Sequence, residues 1–148
     1  MKRLLAQIVV LVILAAVLGL TTNALRSQGI DLRGQAPERF RHPDVEFVAA
    51  TEAASLLENV NALFLDARPP EEFARRHVFG AVSFPADEQE KAYEELRDFL
   101  APEMQLVVYA GDSMRAVRLV KFLSERGYEA RALEGGWEAW QEQRLPVE

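Results

Sequence analysis

A short stretch near the middle of the chain decides the fold, and it reads Leu106-Val107-Val108-Tyr109-Ala110-Gly111-Asp112-Ser113-Met114-Arg115-Ala116. Its first four residues are uninterrupted apolar or aromatic side chains, which is typical of a parallel strand buried on both faces. Gly111 and Asp112 favour a loop, and the apolar spacing that follows predicts a helix running to Arg126. In sheets built from such units, ligand sites lie at the carboxyl ends of the strands, so the loop after Tyr109 is the candidate site.

The sequence on both sides of this stretch repeats the alternation of strand and helix. Thr51 resembles an N-cap, Pro69 and Pro70 suit a first helical turn, and Gly127 suits a helix end. Further helices are predicted at 51–57, from 70, at 87–100 and from 136, and strands at 46–49, 62–65, 81–84, 106–109 and 129–133. In the 87–100 helix, the apolar residues at helical spacing are Tyr93, Leu96, Phe99 and Leu100. We therefore expect an α/β domain of three layers, with a mostly parallel sheet of four or five strands between helices and the 106–109 strand near its centre.

Two further segments carry recognisable patterns. One runs from Asp66-Ala67-Arg68-Pro69-Pro70-Glu71-Glu72-Phe73 through His77-Val78-Phe79-Gly80-Ala81 to Pro85, and the other is Leu133-Glu134-Gly135-Gly136-Trp137-Glu138-Ala139-Trp140. Together with the central stretch, and in the same order and spacing, they resemble the rhodanese family over roughly Val45 to Gln143. Two family positions differ, since Arg76 stands for a glycine and Phe79 for a proline.

The resemblance implies a cysteine-containing loop, C-x-x-G-x-R-S, in which backbone N–H groups surround a thiolate. Such a setting lowers a thiol pKa and stabilises a bound persulfide. In this chain Ala110 stands at the cysteine position, Ser113 at the glycine and Ala116 at the serine, while Arg115 matches the arginine. Asp112 adds a negative charge that opposes a bound anion. If the loop binds anything, the residues to consider are Ala110, Gly111, Asp112, Ser113, Met114 and Arg115.

The chain contains no cysteine, which excludes thiolate metal sites, iron–sulfur clusters and a cysteine nucleophile. Loss of a required nucleophile costs on the order of a millionfold in rate, so sulfur transfer is not expected and no catalytic residue, metal or cofactor is predicted. Ser113 as a nucleophile would need His77 and Asp66 to complete a triad, and no nucleophile-elbow pattern surrounds it. A helix cap at Ser113 or Asp112 is the preferred interpretation.

The remaining signature residues are interpreted as structural. Asp66 and Arg68 are expected to fix a turn at a strand end, and His77 to form structural hydrogen bonds. Glycines allow backbone that other residues resist, so Gly135 and Gly136 predict a tight turn. Gly80 belongs to the same structural signature, and Trp137 and Trp140 are expected to pack in or beside the core.

The N-terminal region has a different character. Residues 4–25 carry no charge, and Leu4 to Leu20 is long enough to span a bilayer without a polar face. We predict an uncleaved signal anchor in residues 1–25, a linker over 26–43 and the domain over 44–148. A cleaved signal peptide, with Thr22-Asn23-Ala24 as a weak cleavage site, is the alternative. Lys2 and Arg3 favour a domain outside the cytoplasm, although Arg26 and Arg33 argue the other way.

The distribution of charge along the chain limits the kinds of partner that the domain can bind. Met1 to His42 carries a net charge of +4 and the remainder −10, and so acidic a domain is a poor nucleic-acid binder. The leading hypothesis is a membrane-anchored, non-catalytic rhodanese-like module whose loop binds a protein partner or a weak ligand. The second hypothesis is an enzyme that uses a partner's cysteine, or a metal, in the same loop. The third hypothesis is a structural component of a membrane complex that interacts through its predicted membrane helix.

Overall fold

The structure, a computed structural model, describes residues 42–148. The predicted membrane helix and nearly all of the predicted linker lie outside the described residues. Within 42–148, no helix is long and apolar enough to cross a membrane.

Five strands alternate with helices along the described chain. The strands are β1 (Phe47–Val48), β2 (Ala62–Asp66), β3 (Val82–Ser83), β4 (Gln105–Tyr109) and β5 (Glu129–Leu133). The helices are α1 (Ala50–Ala54), α2 (Pro70–Phe73), α3 (Gln89–Leu96), α4 (Ser113–Ser124) and α5 (Gly136–Glu142), and a 3-10 turn at Ala86–Glu88 leads into α3.

The strands form one parallel sheet in the order β1-β5-β4-β2-β3. The prediction of a mostly parallel sheet with a central 106–109 strand is confirmed, since β4 lies between β5 and β2. Side chains alternate between the two faces of a strand, so Leu106 and Val108 face one layer while Val107 and Tyr109 face the other. All four are almost fully buried, which explains the unbroken apolar run.

Helices cover both faces of the sheet. On one face α3 and α4 pack through residues that include Ala92, Leu119 and Leu123. On the other face, α1 and α5 contribute Ala53 and Trp140. The expected three layers are therefore present, with helices on each side of the sheet.

The predictions for the first and third helices differ from the structure in their bounds, and the first helix ends at Ala54 rather than at residue 57. The first helix begins at Ala50 after Ala49, with no side-chain cap, so Thr51 lies within the helix rather than at its N-cap. The helix predicted over 87–100 is α3 alone, preceded by the 3-10 turn and ending at Leu96. Phe99 therefore falls beyond the helix and is 74% exposed instead of packing with the apolar face.

Candidate functional site at the loop after β4

The loop between β4 and α4 begins at a buried residue. Ala110 is 1% exposed, and its carbonyl oxygen accepts a hydrogen bond of 2.9 Å from the backbone N–H of Trp137. A methyl group therefore occupies the position at which the resemblance implies a sulfur nucleophile. It offers neither a lone pair nor an ionisable proton.

The glycine pair at the start of α5 lies against this residue. Gly135 and Gly136 have φ angles of 70° and 55°, so the predicted tight turn is confirmed. A Cβ atom on Gly136 would lie 2.3 Å from the carbonyl oxygen of Ala110, which no side chain could tolerate. Gly136 therefore lets the backbone approach the candidate loop, a role that the sequence did not reveal because the two segments are far apart along the chain.

Asp112 caps helix α4. Its carboxylate accepts a hydrogen bond of 2.9 Å from the backbone N–H of Arg115, and the helix begins at Ser113. The predicted cap is confirmed for Asp112. Within residues 42–148, Ser113 has no hydrogen bond to His77 or Asp66, so the geometry of a triad is not formed.

A chain of opposite charges continues from this cap. The Arg115 guanidinium lies 3.1 Å from Asp112 and 3.4 Å from Asp87, and Asp87 is also bound by Arg118. The hydrogen bond from Arg118, together with the charges of both arginines, lowers the pKa of Asp87. The arginine that matches the rhodanese pattern is thus engaged by two carboxylates of its own chain. Asp87 and Arg118 were not among the predicted site residues.

A buried ion pair lies at the carboxyl end of β2, where Asp66 is the register partner of Tyr109 in β4. Nε of Arg68 is 2.9 Å from Oδ1 of Asp66, and Nη2 is 2.6 Å from Oδ2, so the pair is bidentate. The backbone N–H of Arg68 also donates to Asp66, and Nη2 donates to the carbonyl of Arg76. These bonds close the turn after β2, as predicted for Asp66 and Arg68.

Two aromatic rings lie near the guanidinium of this pair. The Arg68 guanidinium carbon lies 4.2 Å from the centre of the Trp137 ring and 5.6 Å from that of Tyr109. Burial, and then the Asp66 carboxylate, raise the pKa of Tyr109 far above its ordinary value. Burial alone would lower the pKa of Arg68, but the hydrogen bond and charge of Asp66 outweigh it and the net shift is upward.

His77 and Gly80 hold the C-terminal tail. Nδ1 of His77 lies 2.9 Å from the carbonyl oxygen of Phe73, and its ring stacks on the Phe73 ring. Its Nε2 is 3.4 Å from Glu148, and the same carboxylate oxygen accepts from the backbone N–H of Gly80. These are structural contacts of the kind that we predicted for His77. Within residues 42–148, none of its hydrogen bonds or ion pairs reaches the loop that follows β4.

Metal-binding groups are not brought together in this part of the molecule. Among residues 42–148, no three histidine, aspartate or glutamate side chains lie close enough to hold a metal ion.

Both the sequence and the fold of this domain are similar to those of known proteins. The family model for the rhodanese-like domain matches residues 49–143. The chain belongs to the rhodanese-like domain family. A rhodanese-like domain from Anabaena sp. is 23% identical with a TM-score of 0.61, over 68% of this chain and 76% of that one.

Two further structures of rhodanese-like proteins show the same fold. The rhodanese-related protein of Thermoplasma volcanium is 23% identical with a TM-score of 0.59, over 70% of this chain and 97% of that one. The rhodanese-like domain protein of Staphylococcus aureus is 22% identical with a TM-score of 0.58, over 70% and 99%. At such identities the likeness is one of fold.

Proposed function

We propose that this chain is a non-catalytic rhodanese-like module, anchored in a membrane by residues 4–25, that binds a protein partner. The observation that carries the proposal is Ala110, a buried alanine at the head of the loop in a chain without cysteine. Sulfur transfer by a rhodanese requires a thiolate that attacks the donor and carries the sulfur, and a methyl group does neither.

The surroundings of Ala110 support the same conclusion. Asp112 places a carboxylate at the N-terminus of α4, where an anion would otherwise be favoured by the backbone N–H groups. Arg115 is held by Asp112 and Asp87. A thiosulfate or persulfide anion would therefore meet a loop whose positive charge is already neutralised from within.

The competing proposal is an enzyme that uses a partner's cysteine in this loop. Such a cysteine would need room beside Ala110 and a positive group to favour its thiolate. Ala110 is buried, and its carbonyl is bonded to Trp137. Arg115 is engaged by carboxylates, so the contacts around the loop favour the non-catalytic module.

A thiosulfate:cyanide sulfur-transfer assay on the full chain tests the proposal. We expect no turnover above background, whereas a cysteine-containing rhodanese assayed in parallel turns over. Turnover comparable with that control would overturn the non-catalytic proposal.

The variant Ala110→Cys sharpens this test. We expect it to restore little activity, because the new thiol would be buried and Asp112 opposes the donor anion; a displacement of about 1 Å can cost about a hundredfold in rate. Strong activity in Ala110→Cys would show instead that the loop is intact and that only the nucleophile is missing.

Anchoring by residues 4–25 is tested separately. The intact mass of protein isolated from its native membrane should correspond to an uncleaved N-terminus. A mature N-terminus near Leu25 would overturn the anchor.

A further inference from the structure

Residues 145–148, which we call the strap, lie against the segment that precedes β3. Val147 pairs with Val78 in an antiparallel bridge outside the central sheet. His77 and Glu148 exchange two backbone hydrogen bonds, of 2.8 and 3.0 Å. The strap is therefore attached by main-chain bonds of its own.

A further bond depends on a departure from the rhodanese pattern. The backbone N–H of Phe79 donates to the carbonyl of Pro146 over 3.2 Å. The pattern has a proline at position 79, and proline has no N–H to donate. Phe79 therefore adds a bond to the strap that the pattern residue could not make.

The strap covers apolar surface. The side chains of Leu145 and Val147 pack against the core cluster that contains Val78 and Trp140, both of which are fully buried. The indole N–H of Trp140 donates to the carbonyl of Pro146 over 3.0 Å. Opening of the strap would therefore uncover a valine and an indole ring, and would free the indole N–H.

A histidine ring and a carboxylate meet at the strap. Nδ1 of His77 lies 2.9 Å from the carbonyl oxygen of Phe73, which can only accept, so Nδ1 carries the proton of the neutral ring. Nε2 then turns a lone pair towards Oε1 of Glu148, 3.4 Å away, and that oxygen already accepts the N–H of Gly80. With His77 neutral, the ring therefore donates nothing to the strap.

A second proton on His77 converts this contact into an ion pair. Nε2 becomes a donor, and the ring carries a positive charge beside the Glu148 carboxylate. Histidine side chains ordinarily gain this proton at about pH 6.5. The additional attraction that closes the strap is therefore present below that pH and is lost as the pH rises above it.

The other charged groups near His77 are paired or exposed. They are Asp66 and Arg68 after β2, Glu71 and Glu72 on α2, Arg75 and Arg76 on its own segment, and Glu148 in the strap. Arg68 is engaged by Asp66 at 2.6 Å and by Glu72 at 3.8 Å. Glu71, Arg75 and Arg76 are exposed, so solvent screens their charges. The contact that protonation changes is therefore the one with Glu148.

We infer that the strap is pH-sensitive: protonation of His77 favours its closure, and deprotonation lets Val78 and Trp140 be uncovered more often. An ion pair that is partly open to solvent shifts such an equilibrium by about twofold to fivefold. The main-chain bonds hold the strap in both protonation states, so the proton adjusts how often it opens. The inference is independent of the proposed function, because it involves neither sulfur transfer nor a partner.

Hydrogen–deuterium exchange of the full chain in detergent micelles tests the strap, with mass spectrometry of the peptides that contain residues 76–80 and 145–148. Glu148→Gln keeps an acceptor for the Gly80 N–H and removes the charge. We expect these amides to exchange about two to five times faster in Glu148→Gln than in the wild type at pH 5.5, and no faster at pH 7.5. The same ratio of rates at both pH values would overturn the inference.

His77→Asn is the complementary variant, because its amide can still donate to the Phe73 carbonyl but has no group in place of Nε2. Once intrinsic amide exchange is corrected for, exchange of the strap should no longer depend on pH between 5.5 and 7.5. A pH dependence equal to that of the wild type would count against the role of this ring.

The matched control is Glu142→Gln, at an exposed glutamate of α5. We expect its exchange to equal that of the wild type at both pH values, and a change as large as that in Glu148→Gln would refute the specific contact. Circular dichroism shows whether each variant is folded. If His77→Asn is not, Glu148→Gln decides the test alone, because its side chain lies at the surface.

Discussion

Two aspartate–arginine pairs follow neighbouring strands at the same edge of the sheet, and their surroundings differ completely. Asp66 and Arg68 after β2 are buried, bidentate and covered by aromatic rings. Asp112 and Arg115 after β4 make a similar contact at the surface. The buried pair fixes the turn after β2, whereas the exposed pair neutralises the charge of the loop after β4. The two pairs contribute differently to the free energy of unfolding because solvent screens only the exposed one.

Removing one member of the buried pair should have the largest effect. Arg68→Ala leaves Asp66 as an uncompensated buried charge, which costs about 3–5 kcal/mol of unfolding free energy. Urea unfolding of the full chain in mild detergent, followed by tryptophan fluorescence, measures it, since both tryptophans lie in α5. Arg75→Ala, at an exposed arginine, is the control, and equal losses in the two variants would refute the contrast.

Alkaline pH should separate the two pairs, because only the buried one contacts a tyrosine. Tyr109 stays neutral in the folded domain, while an unfolded tyrosine ionises near pH 10. The raised pKa means that stability is fully present below pH 10 and is lost above it, by up to about 1.4 kcal/mol per pH unit. Tyr109→Phe should reduce this slope, leaving the contribution of Tyr128, whose pKa is also raised by its hydrogen bond with Tyr93; an unchanged slope between pH 10 and 11 would contradict the assignment.

At the exposed pair, the cap should matter more than the charge. Asp112→Ala removes the acceptor for the Arg115 N–H, and we expect a loss of about 1 kcal/mol. Asp112→Asn keeps the acceptor and should stay close to the wild type. The same urea unfolding measures both, and an equally large loss in Asp112→Asn would show that the charge, rather than the cap, stabilises α4.

The smallest effect on stability should come from the exposed carboxylate of Asp87. The pKa of Asp87 is lowered, chiefly by the hydrogen bond from Arg118, so its contribution exists at neutral pH and is lost as the pH falls below about 3.8. Asp87→Asn should be slightly less stable than the wild type at low salt and indistinguishable from it at high salt. A difference that survives high salt would place Asp87 with the buried pair.

The sequence predicted the fold because its strongest patterns coincide with buried elements. The unbroken run at Leu106 to Tyr109 requires cover on both faces, and the glycine pair requires positive φ angles. Both depend on local chemistry that a single sequence displays. The cap at Asp112 was predicted for the same reason.

What the sequence could not predict depends on tertiary contact. The approach of Gly136 to Ala110, and the pairing of Asp87 with Arg118, join segments with no local signal for each other. Phe99 continues the helical spacing of the sequence, but α3 ends at Leu96, so that spacing does not place the Phe99 side chain against the core.

The order of the strands has a consequence for synthesis. Among the described residues 42–148, the earliest strand, β1, pairs only with β5, which is the last strand of the sheet to be made. Gly80 likewise donates a hydrogen bond to Glu148, 68 positions further along the chain. A ribosome must therefore release almost the whole domain before the sheet can close, and contacts between residues so distant along the chain slow folding. During that interval the apolar side chains of β2 and β4 lack the cover that the closed sheet provides.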